Sequence, residues 1–109
     1  AVHQIAIKAL SVNECWQGRR FKTQKYKTYE LALRSMLPEI KVPAGPLSVS
    51  IEVGYSNRQA DLDNCLKPLL DIFQKAYSFN DKHIMCITLT KVIVAKGNEF
   101  IKFAITKHV

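Results

Sequence analysis

The sequence predicts an α+β fold: one mixed or antiparallel sheet with two helices packed on it. Three observations carry that expectation. Residues 47–55 (LSVSIEVGY) alternate cleanly, with Leu47, Val49, Ile51, Val53 and Tyr55 on one face, the period of a strand with one side buried. Two stretches repeat apolar residues at spacings of three and four, the period of a helix. Two strand-like runs follow the second helix. The order strand, helix, strand, helix, strand, strand is satisfied by one sheet carrying helices on a face.

Taken in turn, residues 2–10 place Val2, Ile5, Ile7 and Leu10 among polar residues and predict the first strand. A loop over 11–18 contains the only tryptophan, Trp16. A lone Trp beside a strand is expected in the core. Tyr26, Tyr29, Leu33 and Leu37 mark the first helix, which Pro38 should end. Residues 41–46 (KVPAGP) are a turn, the strand 47–55 follows, and 56–60 is a polar loop. Leu62, Leu66, Leu69, Leu70, Phe73 and Tyr77 mark a second helix from Asp63 to about Tyr77. Pro68 would clash with the carbonyl of residue 64 in a regular helix, so regular helix should begin at about Asn64 or later. Residues 84–95 and 99–109 predict the last two strands, and Lys96-Gly97-Asn98 reads as a hairpin turn between them.

With 109 residues the chain is expected to form one domain, residues 1–109. No apolar run approaches the roughly 18 residues that span a bilayer, and Lys8 and Gln4 within the first ten residues are unlike a secretory signal. The three cysteines (Cys15, Cys65, Cys86) form no CxxC pair, which argues against a disulfide framework and suits a reducing, cytoplasmic setting. The histidines show no zinc-finger spacing. The formal net charge is +7, from 16 Lys and Arg against 9 Asp and Glu. That excess on a small body favours a polyanionic partner, nucleic acid before membrane. Arg19, Arg20, Lys22, Lys25 and Lys27 fall within nine residues and are candidate phosphate contacts, which would position DNA and make binding salt-dependent.

Against this basic background, all four aspartates (Asp61, Asp63, Asp71, Asp81) lie between positions 61 and 81. A helix start accepts one carboxylate as a cap; two acids in Asp61-Leu62-Asp63 exceed that need. In extended backbone, residues i and i+2 point the same way, so both acids are expected to face one point, where their oxygens suit Mg²⁺, a hard cation that also accepts substrate phosphate. A cap plus a solvated acid explains the pair equally well when it is taken alone, and Asp81 alone reads as a turn residue. Lys67 lies one helical turn past Asp63. It is either half of an i,i+4 ion pair or a cation able to stabilise phosphoryl charge. Asp71, a further turn on, is its expected structural partner.

Residues 60–67 read ADLDNCLK, and with Asp71 give D-L-D-N-x-x-K-x-x-x-D, followed by Asn80-Asp81-Lys82-His83-Ile84 and Lys91. This resembles the RusA family of Holliday junction resolvases. Ser11-Val12-Asn13 with Trp16, Arg19 and Arg20 is similar to the family's opening S-x-N-x-x-W region. The likeness runs from about Val2 to Lys91. It implies a RusA-like fold and a homodimer that binds a four-way DNA junction and nicks two strands symmetrically, with one Mg²⁺-dependent site per subunit (Mn²⁺ is the other candidate). Carried over by position, Asp61, Asp63 and Asp81 match the catalytic, metal-holding aspartates and Lys67 the essential lysine. Members often carry Asp-Asp in the acidic turn, where Asn80 stands here. Some place a basic residue directly before the first aspartate; here Ala60 holds that place, and Arg58 is the candidate substitute. Asn13 and Arg58 join the basic run as candidate DNA contacts. The family is common in phages. The alternative is a non-catalytic nucleic-acid-binding dimer with a decayed site, and a third reading is an enzyme using the same acids on RNA.

Overall fold

The computed structural model describes residues 2–18 and 21–109. Its main sheet has the order β1-β6-β4-β5, from β1 (His3–Ile5), β4 (Leu47–Tyr55), β5 (Ile84–Ile93) and β6 (Phe100–Lys107). β4 is central, parallel to β5 and antiparallel to β6. Two helices, α1 (Gln24–Met36) and α2 (Leu66–Tyr77), join one core with this sheet, so the fold is α+β with a mixed sheet. A separate ribbon pairs β2 (Trp16–Gln17) with β3 (Phe21–Lys22).

The core follows the predicted periodicities. Leu47, Val49, Ile51 and Val53 are all buried, as are Tyr26, Tyr29 and Leu33 of α1 and Leu69 and Phe73 of α2; Ile72, outside the predicted set, is buried too, whereas Leu62 is exposed. Phe73 packs on Phe103 of β6 with ring centroids 4.6 Å apart. The opposite face of β4 carries Ser48, Ser50 and Glu52, and Glu52 pairs across the register with Lys102 at 3.5 Å. Thr23 caps α1, its hydroxyl accepting from the Tyr26 amide. α2 begins at Leu66, behind a 3-10 turn over Leu62–Cys65. Pro68 therefore sits in the first turn of the regular helix, where its ring meets no helical carbonyl.

Three expectations are corrected. The first strand covers only His3–Ile5; beyond it Ile7, Ala9 and Leu10 still pack on the core, but without strand pairing among the described residues. β5 and β6 are not a hairpin, because β4 lies between them. The stretch after β5 crosses the end of β4, where the Val94 amide donates to the Tyr55 carbonyl, so Lys96-Gly97-Asn98 turns within an arch. Trp16 is 40% exposed rather than core; it meets Tyr26 edge-on at 5.8 Å, and Tyr26 fills the buried position.

Candidate nuclease site

Asp61 and Asp63 lie just beyond the C-terminal end of β4. Asp61 is extended (φ −73°, ψ 135°), and Asp63 lies inside the 3-10 turn Leu62–Cys65. The two are thus not consecutive same-facing positions of one extended stretch, and that part of the convergence argument fails. The capping explanation fails as well, since among the described residues the Asp61 carboxylate makes no cap bond to a backbone amide. It accepts instead from Asn64 Nδ2 at 3.3 Å, its neighbour one 3-10 turn on.

Lys91 of β5 fastens this loop. Its Nζ donates to the backbone carbonyls of Arg58, at 2.9 Å, and of Ala60, and stands 5.8 Å from the centre of the Tyr55 ring. The sequence marks Lys91 only as a later lysine of the pattern; the structure makes it the anchor of the segment that presents Asp61. A cleft of about 290 Å³ adjoins the loop, lined in part by Lys8, Glu14, Asn57, Asp61, Asn64 and Glu99. Glu14 and Glu99 are acids the sequence reading missed, because neither lies near the aspartate cluster in sequence. The hydrogen bond from Ser56 (2.7 Å) and the amide of Gly97 hold the Glu99 carboxyl below the usual carboxylate range.

Lys67, in the first turn of α2, pairs with Asp71 at 3.2 Å and is exposed, so the structural partner is as expected and the ammonium still faces solvent. The 3-10 turn Val12–Glu14, which carries Asn13, packs against the Leu62–Cys65 turn. Ser11, not Asn13, holds that segment: its hydroxyl caps the turn and its carbonyl accepts from Cys15 Sγ. The Asn13 side chain is left exposed.

Asp81 is elsewhere. It opens the 3-10 turn Asp81–His83 ahead of β5, capped by Asn80, and its amide donates to Gln74 in the last turns of α2. α2 therefore separates it from Asp61 and Asp63, and twelve helical residues span about 18 Å at ~1.5 Å each. The sheet agrees. β5 starts opposite Leu47 and ends opposite Tyr55, so Asp81 enters at one end of β4 while Asp61 leaves from the other. Within one chain these carboxylates cannot share an ion whose ligand distances are about 2 Å. Among the described residues no three His, Cys, Asp or Glu side chains group closely enough to hold a metal. The expectation that one chain gathers all three acids is thus corrected: the βαβ crossover carries the third to the far end.

In the basic run, Lys22 bonds Glu30 at 3.1 Å and Lys25 bonds Glu14 at 2.9 Å. The Lys25–Glu14 pair is exposed, and such pairs are worth about 0–1 kcal/mol, so a phosphate can compete for Lys25; the Lys22–Glu30 pair is partly buried. Lys27 is exposed, as is Arg58, whose backbone carbonyl is one of the groups bound by Lys91. Arg19 and Arg20 lie outside the described residues.

The family model for endodeoxyribonuclease RusA matches residues 11–102. The chain belongs to the RusA family. The match takes in both acid segments, Lys67 and Lys91, and so covers the site just described. A comparison with curated proteins gives no match. Membership places the chain in an endodeoxyribonuclease family that acts on DNA junctions, and no described helix is long and apolar enough to cross a membrane.

Proposed function

We propose that this RusA-family chain is a divalent-metal-dependent endonuclease that resolves four-way DNA junctions as a homodimer, by paired symmetric nicks. The observation that carries the reading is the D-L-D-N-x-x-K segment, held by Lys91 at the open end of β4 with Asp61 free of capping duty. Carboxylate oxygens are suitable donors for Mg²⁺ or Mn²⁺. Asp61 and Asp63 alone are an incomplete ligand set for such an ion. Lys67, one turn past Asp63 and exposed, is placed to meet the charge of a scissile phosphate. Asn13 and Arg58 flank the acids, and Lys22, Lys25 and Lys27 supply basic surface for the junction arms. A C2 dimer presents two equivalent sites, as two symmetric cuts require.

Asp63→Asn should abolish nicking of a synthetic four-way junction while junction binding, measured by gel shift, stays within about twofold. Normal cutting by that variant would misplace the site. Binding without cutting by the unaltered chain, in both Mg²⁺ and Mn²⁺, would favour the non-catalytic binding dimer.

A further inference from the structure

The ribbon β2–β3 stands outside the main sheet and leaves a tryptophan in contact with water. Trp16 of β2 lies directly opposite Lys22 of β3 in the register, so the two side chains share one face of the ribbon. Trp16 meets the buried ring of Tyr26 on α1, yet stays 40% exposed. A cleft of about 260 Å³ opens beside it, lined by Trp16, Lys22, Tyr26, Asp71, Gln74 and Lys75.

The charges around this cleft do not balance. Glu30 accepts from Lys22 at 3.1 Å and from Lys75 at 3.4 Å. One carboxylate cannot neutralise two ammonium groups, so the cluster keeps a positive charge. The surplus falls on Lys75, whose pair is the longer and more exposed, whereas the Lys22 pair is partly buried. Lys22 Nζ also stands 5.1 Å from the centre of the Tyr26 ring, within cation–π reach. Asp71, the acid on the cleft wall, is paired with Lys67 at 3.2 Å. Gln74 is used inside the fold: its amide nitrogen donates to the Leu70 carbonyl, and its oxygen accepts from the Asp81 amide. What stays open is an aromatic surface beside an unneutralised cation. Proteins that bind single strands without sequence preference combine these two features, aromatic side chains for the bases and cations for the backbone. Inside a duplex both faces of a base are already stacked on its neighbours, so only a base out of that stack can lie on an indole.

We propose that this cleft is a subsite for one unpaired nucleotide of the bound DNA, its base on Trp16 and an adjoining phosphate on Lys75, with Lys22 held beside them. Lys67, Asp71 and Lys75 follow one another at intervals of about one turn along α2. Lys67 and Lys75 are therefore about 12 Å apart along the axis, at ~1.5 Å per residue. At ~3.4 Å per nucleotide along a strand, the stacked base lies about three to four nucleotides from the phosphate that Lys67 meets. That spacing rests on the endonuclease reading; the subsite itself needs only DNA binding.

Trp16 is the only tryptophan, so intrinsic fluorescence reports on this site. The titration is made in EDTA, with no divalent metal free. A short oligothymidylate should quench the emission in a saturable way, and a long linear duplex should quench it far less at equal occupancy. No quenching by the single strand, or equal quenching by both, would overturn the proposal. Affinity for the labelled oligothymidylate, read by anisotropy, separates stacking from packing. Trp16→Leu should bind more weakly by about fivefold or more, the low end of base–aromatic stacking. Trp16→Phe keeps an aromatic face and should recover part of that loss. Both are compared where circular dichroism shows them folded, and equal affinities for the two would overturn the stacking. Lys75→Gln should lower the slope of log affinity against log salt by about 0.7, the share of one single-strand phosphate contact; an unchanged slope would overturn the phosphate contact. Junction nicking by a chain whose tryptophan is never quenched would sink the subsite and leave the endonuclease reading standing. Quenching without nicking, in the presence of metal, would do the reverse.

Discussion

Replacing Lys91 with methionine removes one ammonium group and little volume. The side chain donates to two backbone carbonyls, Arg58 and Ala60, and lies against the Tyr55 ring. Hydrogen bonds to charged groups contribute about 1.5–3 kcal/mol each when well shielded. Here one carbonyl is exposed and the other partly buried, so water replaces part of what is lost, and about 1–3 kcal/mol in total is expected. Urea unfolding at fixed protein concentration reads this as a lower midpoint with an unchanged slope. Heating should show a fall of several degrees, given about 4–8 °C per kcal/mol in domains near this size. Nicking should fall further than stability, at least tenfold under conditions where the variant is fully folded, because the freed loop no longer presents Asp61. An unfolding midpoint and nicking rate both equal to those of the unaltered chain would refute the anchoring role.

Other outcomes follow from the same geometry. Lys67→Ala removes an exposed i,i+4 pair, so stability should fall by only about 0.2–0.5 kcal/mol while nicking falls at least a hundredfold; equal, small effects on both would make Lys67 purely structural. Gly54→Ala would set a methyl 2.5 Å from the Phe100 ring, so overpacking of about 1–3 kcal/mol should appear in urea unfolding. Burial pushes the Glu30 carboxyl up, but the bond from Lys22 and the charges of Lys75 and Lys22 outweigh it and hold the group below the usual range. A depressed carboxyl stabilises the fold above its unfolded value, near 4.5, and loses that contribution as pH falls through its folded value. Unfolding midpoints should therefore drop below about pH 4.5, and Glu30→Gln should flatten the drop.

The periodic parts of the chain were legible because burial imposes its period directly. Leu47 to Tyr55 kept the predicted bounds and face, and Tyr26, Tyr29 and Leu33 turned inward as spaced. What sequence did not show was strand order. The Lys96-Gly97-Asn98 turn looks the same whether it joins neighbouring strands or arches over β4, and only the ladder decides. The placement of Asp81 depends on that order, because a parallel crossover through α2 puts the start of β5 at the far end from Asp61. Local motif reading found the acid residues but not their distance apart. Lys91, Glu14 and Glu99 were missed as site neighbours for a related reason, each reaching the Asp61 loop or its cleft from a remote segment. Trp16 was misjudged because its ribbon stands outside the main sheet, with Tyr26 in the core beneath it.

The central claim is that acids at the open end of β4 cut junction DNA with a divalent cation. The most direct measurement is strand cleavage of a synthetic four-way junction and of a linear duplex of the same sequence, across a titration of Mg²⁺ and Mn²⁺. The account predicts two symmetric nicks in the junction, a dependence that saturates with metal, and little or no cutting of the duplex. Cleavage that is equal with and without chelator, or that falls on duplex and junction alike, would contradict it.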